Sequence, residues 1–481
     1  MARNTIQYSG DFDLEIAEIS CVNGTTIDII EMVSAIDIYE DIGANAITGT
    51  IALVDTLNLV YNAPLIGQER LILKVLTPQE SPTEETVIDF TENFLYINQV
   101  LSVSDINDTT RSIVLSFTTQ DVYMNNRLRV SKSYEGEPSN IIKKIVRSPT
   151  ILNSKKKLFF EETPNNYKFV VPNMRPFSAI NMIAQRCLSS TNGLAPTYLF
   201  YETCFGYHFR SVDNLFNQET VKAKLDEHVA SFLDENSDKD LISELENIVD
   251  YEIDNTQDSL LNTRMGMYSS NIIIYDWYSK GRKKIEYNYL DEFSKDKHAQ
   301  ENAVYGEPNS LVSEAKEFGD KRISDFPESI QFVQSTILDG VKDKNFYELE
   351  GSTHSDYSNP YEGNNVDKWC MRRRSRLYQL EKGFRLRLEM IGRTNIQAGD
   401  LLEINFPSGT NVTDDRLNNH LSGRYLIKKL HHSFVFLGQK NTHSCHLLMV
   451  KDDVQEAYPS VGTGPGGTAL NDGGPATNQS V

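Results

Sequence analysis

The sequence predicts an α+β, β-rich protein: two antiparallel β-barrels, with an inserted α/β domain and an acidic helical insertion between them. Three observations carry that expectation. Apolar and polar residues alternate at period two near both ends of the chain, the signature of half-buried strands. Helical spacing interrupts this pattern after about residue 125. One segment, 225–258, holds more than half of the net charge of −20.

In the first unit, 1–125, Phe12, Leu14 and Ile16 alternate with Asp13, Glu15 and Ala17. Ile47, Gly49, Ile51 and Leu53 repeat the pattern, as do Leu71, Leu73 and Val75, then Ile113, Leu115 and Phe117. Asn23-Gly24 and the Pro/Glu-rich stretch 78–85 supply turns. In the mixed insert, 126–214, Ser139 is placed to cap a helix carrying Ile141, Ile142, Ile145 and Val146 on one face. Ser178 is placed to cap a second helix, with Ile180, Ile183, Ala184 and Cys187 inward. A hairpin follows, 198–201 with 207–211, turning near Gly206.

The acidic insertion, 215–258, carries twelve Asp or Glu against Lys239 between 225 and 258. Leu241, Leu245, Ile248 and Val249 are spaced for an amphipathic helix. Read as structure it is a solvated insertion; read as function it is an acidic face toward a partner or a DNA channel. Strand character returns at 271–277 and 284–290. A polar linking region, 294–375, follows, with a helix near 311–318 and a second holding Arg372, Arg373, Arg374 and Arg376 and ending near Gly383. The second barrel, 376–453, is the clearest meander: Phe384, Leu386, Leu388 and Met390, then Leu402, Ile404 and Phe406, then 425–436 and 443–450. The tail, 454–481, is poor in apolar residues and is expected to be flexible or to order on a partner.

Composition narrows the function. At 481 residues the chain needs several cores, and 23 Tyr and 22 Phe favour strands. There is no run of apolar residues long enough for a membrane span, and MARNTIQYSGDFDLEI has no signal-peptide core. Cys21, Cys187, Cys204, Cys370 and Cys445 are scattered and odd in number, so free thiols are expected. The negative balance argues against sequence-specific nucleic-acid binding while letting DNA slide past. Near the end, His431, His432, His443, Cys445 and His446 cluster, but no CxxC or HxxxH-type spacing joins them. With His443 and Cys445 on one strand face and His446 on the other, the expectation is strand packing and no metal. Nucleophile elbows, metalloprotease motifs and phosphate loops are absent, so no catalytic or cofactor-binding residue is assigned and no enzyme is expected. The arginine cluster at 372–376 is expected to meet acidic surface, in one version the acidic insertion across a subunit contact.

At residues 375–451 the chain resembles the closing module of phage tail hub proteins. An arginine-bearing helix precedes FRLRLEMIGRTNIQAGDLLEINF, LSGRYLIKKLHHSFVF and THSCHLLMV. The matching positions are Gly392, Ala398-Gly399-Asp400, Gly423, Tyr425, Ile427, His431 or His432, and Phe434. The outline is shared by the late control proteins and the hub part of type VI secretion spikes, and the module order looks like the baseplate central hub of contractile-tailed bacteriophages. The acidic segment and the stretch 291–365 are departures. The resemblance implies two tube-like barrels, the first completed by strands at about 259–293.

It further implies a homotrimeric structural hub, in which three chains give six barrel positions and match a sixfold tail tube to a threefold central spike. Expected partners are the spike, the tail tube or a tube-initiator protein, baseplate wedge proteins and the tape measure protein, in a virion tail assembled after synthesis in the host cytoplasm. The alternatives are a tail-associated cell-wall or glycan hydrolase and a carbohydrate-binding β protein.

Overall fold

The computed structural model describes residues 8, 10–56, 59, 65–78, 87–107, 110–164, 166–190, 195–218, 228–229, 248–255, 258–275, 282–300, 312–335, 366–406, 421–436 and 441–454. The alternating N-terminal segments become β1 (Asp13–Ser20), β2 (Thr26–Asp28), β3 (Val33–Asp41), β4 (Thr48–Asp55), β5 (Arg70–Leu76), β6 (Val87–Asp89), β7 (Leu95–Asn107) and β8 (Thr110–Thr119). Their inward residues, including Ile51, Leu53, Leu71, Leu73, Ile113, Leu115 and Phe117, form one core. The inward phase of β1 differs from the expected one. A register shift between Leu14 and Ile16 turns Ala17 and Ile19 inward and leaves Ile16 half-buried, because a bulge adds one residue to a period-two strand.

Helix α1 (Gln120–Arg127) leads into the insert of β9 (Val130–Gly136), α2 (Pro138–Arg147), β10 (Leu158–Phe160), β11 (Tyr167–Met174), α3 (Pro176–Ala184), β12 (Tyr198–Thr203), β13 (Gly206–Ser211) and α4 (Val212–Phe216). The two helices bury the expected apolar faces. Their caps differ from expectation: both start on a proline, preorganised for the first helical position. Ser139 instead pairs with Thr163, and Asn125 Oδ1 accepts from Phe177 N at 2.8 Å. The insert is tied to the first unit by buried charge. Lys156 Nζ donates to Asp121 (2.7 Å) and Glu202 (2.5 Å), and Glu202 also accepts from Ile47 N and Thr119 Oγ1.

The end of the acidic insertion is not helical. Most of it, 219–227 and 230–247, lies outside the described residues, but β14 (His228–Val229) pairs with a later strand and β15 (Ile248–Asn255) is a full strand. The alternation Asp250-Tyr251-Glu252-Ile253-Asp254 outweighs the helical spacing of Ile248 and Val249. After α5 (Ser259–Arg264), β16 (Ser269–Tyr275), β17 (Arg282–Asn288) and β18 (Gln331–Ser335) make a separate three-stranded sheet, with α6 (Tyr289–Glu292) between β17 and β18. The strands expected to complete the first barrel therefore do not join it. Their apolar residues Ile272, Ile274 and Tyr287 pack instead with Met371 of α7 (Val366–Lys382). Residues 312–318 are irregular, with a turn beginning at Glu317, rather than the expected helix.

The last unit is β19 (Phe384–Ile391), β20 (Leu401–Asn405), β21 (Gly423–Phe436) and β22 (Asn441–Lys451), over its own core of Leu386, Leu388, Met390, Ile404, Tyr425 and Met449. The two expected barrels are not separate, and neither closes among the described residues. One path runs β15-β19-β22-β21-β3-β4-β8-β7-β5-β1-β2, joining both units in a single sheet. The tail from 455 onward lies outside the described residues.

Under this sheet, α7 carries Arg376, which is 1% exposed and donates to Asp452 at 2.5 Å, to Gln379 and to the Lys297 carbonyl. Asp452 also meets His298 Nδ1 at 2.8 Å. Burial alone would raise the Asp452 carboxyl; His298 and Arg376 hold it well below the usual carboxylate range. Removing one partner of a buried pair leaves an uncompensated charge. Arg376→Met is therefore expected to cost about 3–5 kcal/mol in a denaturant titration; an unchanged midpoint would show that the cluster contributes nothing net.

Candidate functional site

Among the described residues, the distinguishing feature is the joint between the two sheet units. β21 is fourteen residues long and serves two neighbours. Its first half pairs with β20, from Gly423 to Leu426. After a register shift between Ile427 and Lys429, its second half pairs with β3 through seven residues, from Lys429 opposite Asp41 to Val435 opposite Ala35. Phe434 is carried into the first unit's core, edge-on to Phe12 at 5.0 Å. Glu40, on β3, locks the same place from the other side. Its carboxylate accepts from Cys204 N of the insert (2.6 Å) and from Ala398 N of the second unit (2.8 Å). Burial pushes the Glu40 carboxyl up to about 7 despite those two donors. The Ala398-Gly399-Asp400 turn is thus a docking point: Gly399 has φ 96°, and a Cβ there would lie 2.3 Å from the Tyr201 hydroxyl.

Among the described residues, β15 at one end of the sheet pairs with β19 and no other strand, and beyond Ile97 no strand pairs with the outer edge of β7, although the sheet itself continues past the start of β7 through β5 and β1 to β2. Both edges expose apolar side chains: Val249 (61%) and Ile253 (45%) on β15, Leu101 (48%), Val103 (47%) and Ile106 (58%) on β7. Three register shifts interrupt β7, the kind of irregularity that limits indiscriminate edge pairing. Between the edges run eight strands, β15 to β7, antiparallel at every step.

The outward face of this sheet is polar, and its bases are matched. Lys429 meets Asp41 (2.9 Å), Arg385 meets Asp254 (3.2 Å) and Arg387 meets Asp254 (2.7 Å). His431 sits 2.8 Å from Asp37 and stacks on Tyr39.

The arginine cluster serves the fold. Arg372 Nε bonds Asp296 at 2.6 Å, and Arg373 donates to the Tyr198 carbonyl at 2.9 Å. Arg374 lies over Phe332 and Tyr378, and Arg376 is buried as described. Arg372 and Arg376 thus meet carboxylates of their own chain, whereas Arg373 and Arg374 meet backbone carbonyls and aromatic rings; most of the acidic insertion, 219–227 and 230–247, lies outside the described residues, so the expected contact with it across subunits stays an expectation. Each needs an inward partner because α7 packs between the small sheet and the large one.

The His/Cys cluster divides by face. His431 and His446 lie outward, their rings stacked at 5.2 Å. His432, His443 and Cys445 are fully buried and converge, although no metal motif marks them in sequence. His432 Nδ1 is 3.1 Å from His443 Nε2, and Cys445 Sγ is 3.4 Å and 3.5 Å from those nitrogens. Burial pushes His432 down to about 3 and Cys445 up to about 12, so both rest neutral. The signal that spacing lacked is cross-strand: His432 stands opposite Cys445 in the β21–β22 ladder.

No protein-family model and no curated protein matches this chain. Among solved structures it is similar to the 43 kDa tail protein of prophage MuSo2 from Shewanella oneidensis, at 10% identity and TM-score 0.47 over 91% of this chain and 98% of that one. A tail protein from Neisseria meningitidis matches at 11% identity and TM-score 0.46, over 91% and 96%. A Francisella PdpA-VgrG complex matches at 11% and 0.42, over 95% of this chain and 60% of that one.

Because Glu40 is held near 7 in the folded chain against an ordinary 4.5, folding takes up a proton between those values. Its contribution to stability is therefore full below pH 4.5 and declines as pH rises to about 7. Comparing melting temperatures of the natural chain and Glu40→Gln, the margin in favour of the natural chain should be widest at the acid end of that window. A margin that does not change with pH would mean Glu40 does not titrate there.

Proposed function

We propose that this protein is the structural hub of a phage tail baseplate, a homotrimeric adaptor that matches a sixfold tail tube to a threefold central spike and surrounds the channel through which DNA leaves. The observation that carries this reading is the β21–β3 seam. It joins two four-strand sets, β15-β19-β22-β21 and β3-β4-β8-β7, within one chain. The open edges, β15 and β7, are what the same kind of joint needs between chains. With eight alternating strands the two edges run in opposite directions, so joining β7 of one copy to β15 of the next keeps the ladder antiparallel. A head-to-tail contact of this kind closes into a ring when its rotation permits. Three copies then present six four-strand sets around one bore.

Other features agree. The resemblance of residues 375–451 to tail hubs covers β19 to β22, the unit that builds the seam. The matched charges on the outward face and the overall charge of −20 suit a bore that passes DNA without retaining it. On this reading the chain has no turnover of its own; its partners are the spike, the tube or its initiator, the wedge proteins and the tape measure protein, and its place is the virion tail.

Native mass measurement of the full chain should find three copies. Placing lysines at two exposed β15 positions, Val249→Lys with Ile253→Lys, should leave the fold intact and weaken association at least tenfold, about 1.4 kcal/mol. A natural chain that stays monomeric at every concentration would overturn the proposal.

A further inference from the structure

We propose that His432, His443 and Cys445 form a transition-metal site at the seam, fitted to zinc or a similar borderline-soft divalent ion. This site is independent of the assembly role argued above. The side chains come from β21 and β22: His432 stands opposite Cys445, and His443 lies two pairs further along that ladder, on the same face, opposite Phe434. Their facing atoms make a triangle with sides of 3.1, 3.4 and 3.5 Å. A point equidistant from all three sits about 2 Å from each, where zinc takes nitrogen at ~2.0–2.1 Å and sulfur at ~2.3 Å. Two imidazoles and a thiolate select zinc-like or copper-like ions over magnesium or calcium.

Proton accounting points the same way. Among the described residues, His432 Nε2 and His443 Nδ1, the nitrogens facing away from the triangle, have no hydrogen-bond partner. If both rings carry their proton there, two lone pairs face each other at 3.1 Å with only the thiol proton to share. If one proton moves inward, a buried nitrogen lone pair on the outer side goes unmatched. No neutral tautomer satisfies every group, whereas an ion at the centre uses both inward lone pairs and the sulfur at once. Binding replaces the Cys445 thiol proton, which is released to solvent as the thiolate–metal bond forms; the histidines bind as neutral imidazoles and release none.

The surroundings fix the ligands. Gly392 donates its N–H to the His443 carbonyl at 2.8 Å, and a Cβ at Gly392 would lie 2.1 Å from the His443 ring. The ring is pressed on its other side by Phe434, centroids 4.0 Å apart. His443 N donates to the Gly10 carbonyl at 2.8 Å, tying in the N-terminal segment. The Arg393 carbonyl, 3.8 Å from Cys445 Sγ, is the candidate fourth donor. An ion here binds β21 to β22 at the level where His432 also faces Ile38 of β3, and so stiffens the seam itself.

The test uses the full chain without a histidine tag, grown with zinc and purified without chelators. Elemental analysis should find about one ion per chain. Unfolding and refolding with cobalt(II) should give the visible bands of a four-coordinate ion and a sulfur-to-cobalt charge-transfer band. Cys445→Ser should abolish that band, while a His431→Ala, His446→Ala control, which alters only the outward pair, should keep both metal and spectrum. If Cys445→Ser fails to fold, the cobalt spectrum of the natural chain decides alone. A metal-free natural chain with no cobalt bands, or metal lost only in the outward-histidine control, would overturn the proposal.

Discussion

Seven residues of β21, Lys429 to Val435, paired with β3, hold the two halves of the molecule in one sheet. The rest of the architecture follows from that ladder. Because β21 keeps β22 as its neighbour from Leu426 to Phe436, through the whole stretch that meets β3, the second unit cannot pivot about the joint without breaking its own core. The register shift at Ile427 lets one strand leave β20 and meet β3. Phe434 then belongs to the first unit's core although its chain neighbours belong to the second. A joint made of backbone hydrogen bonds and one deeply placed aromatic is stiff.

Three of the buried charge clusters stand where modules meet. Lys156 with Asp121 and Glu202 marks the border of insert and first unit. Glu40 marks the meeting of both units with the insert, and Arg376 with Asp452 marks α7 against the second unit. Burying such groups is costly, and apolar packing of the same volume is often at least as stable. What they add is direction: a carboxylate with two specific amide donors accepts one orientation of its neighbours, whereas an apolar face tolerates sliding. In the proposed ring, where the relative placement of the modules would set the spacing, that selectivity has a use that raw stability does not.

Much of the sheet was legible because a strand with one buried face must alternate. Ile47 to Leu53, Ile113 to Phe117 and Phe384 to Met390 all turn inward as their spacing predicts. The failures have physical causes. The bulge in β1 flips the phase midway, and nothing local marks it. In β15, apolar residues at 248 and 249 fit a helix until Tyr251 and Ile253 are weighed with them. The strands at 269–275 and 282–288 were recognisable as strands, but which sheet they join depends on long-range partners, β18 and α7, that no local pattern encodes. The His/Cys triangle was hidden for the same reason: its closeness arises across a ladder, and spacing along one strand cannot display it.

In the proposed ring, the seam inside the chain and the joint between chains would be alike in kind but unequal in strength. The internal seam has Phe434 and Glu40 behind it; the edges offer only exposed Val249, Ile253, Leu101, Val103 and Ile106 beside their backbone groups. An edge so equipped is a hazard to a free chain, since any strand can pair with it. Carrying two sets of strands on one polypeptide reduces that hazard. It makes half of the six joints intramolecular, where effective concentration is high and no wrong partner competes. The remaining three joints of the proposed ring are those between chains. The irregular β7 edge, with three register shifts, then acts as a filter: it matches poorly with a regular strand and is left for a partner shaped to it.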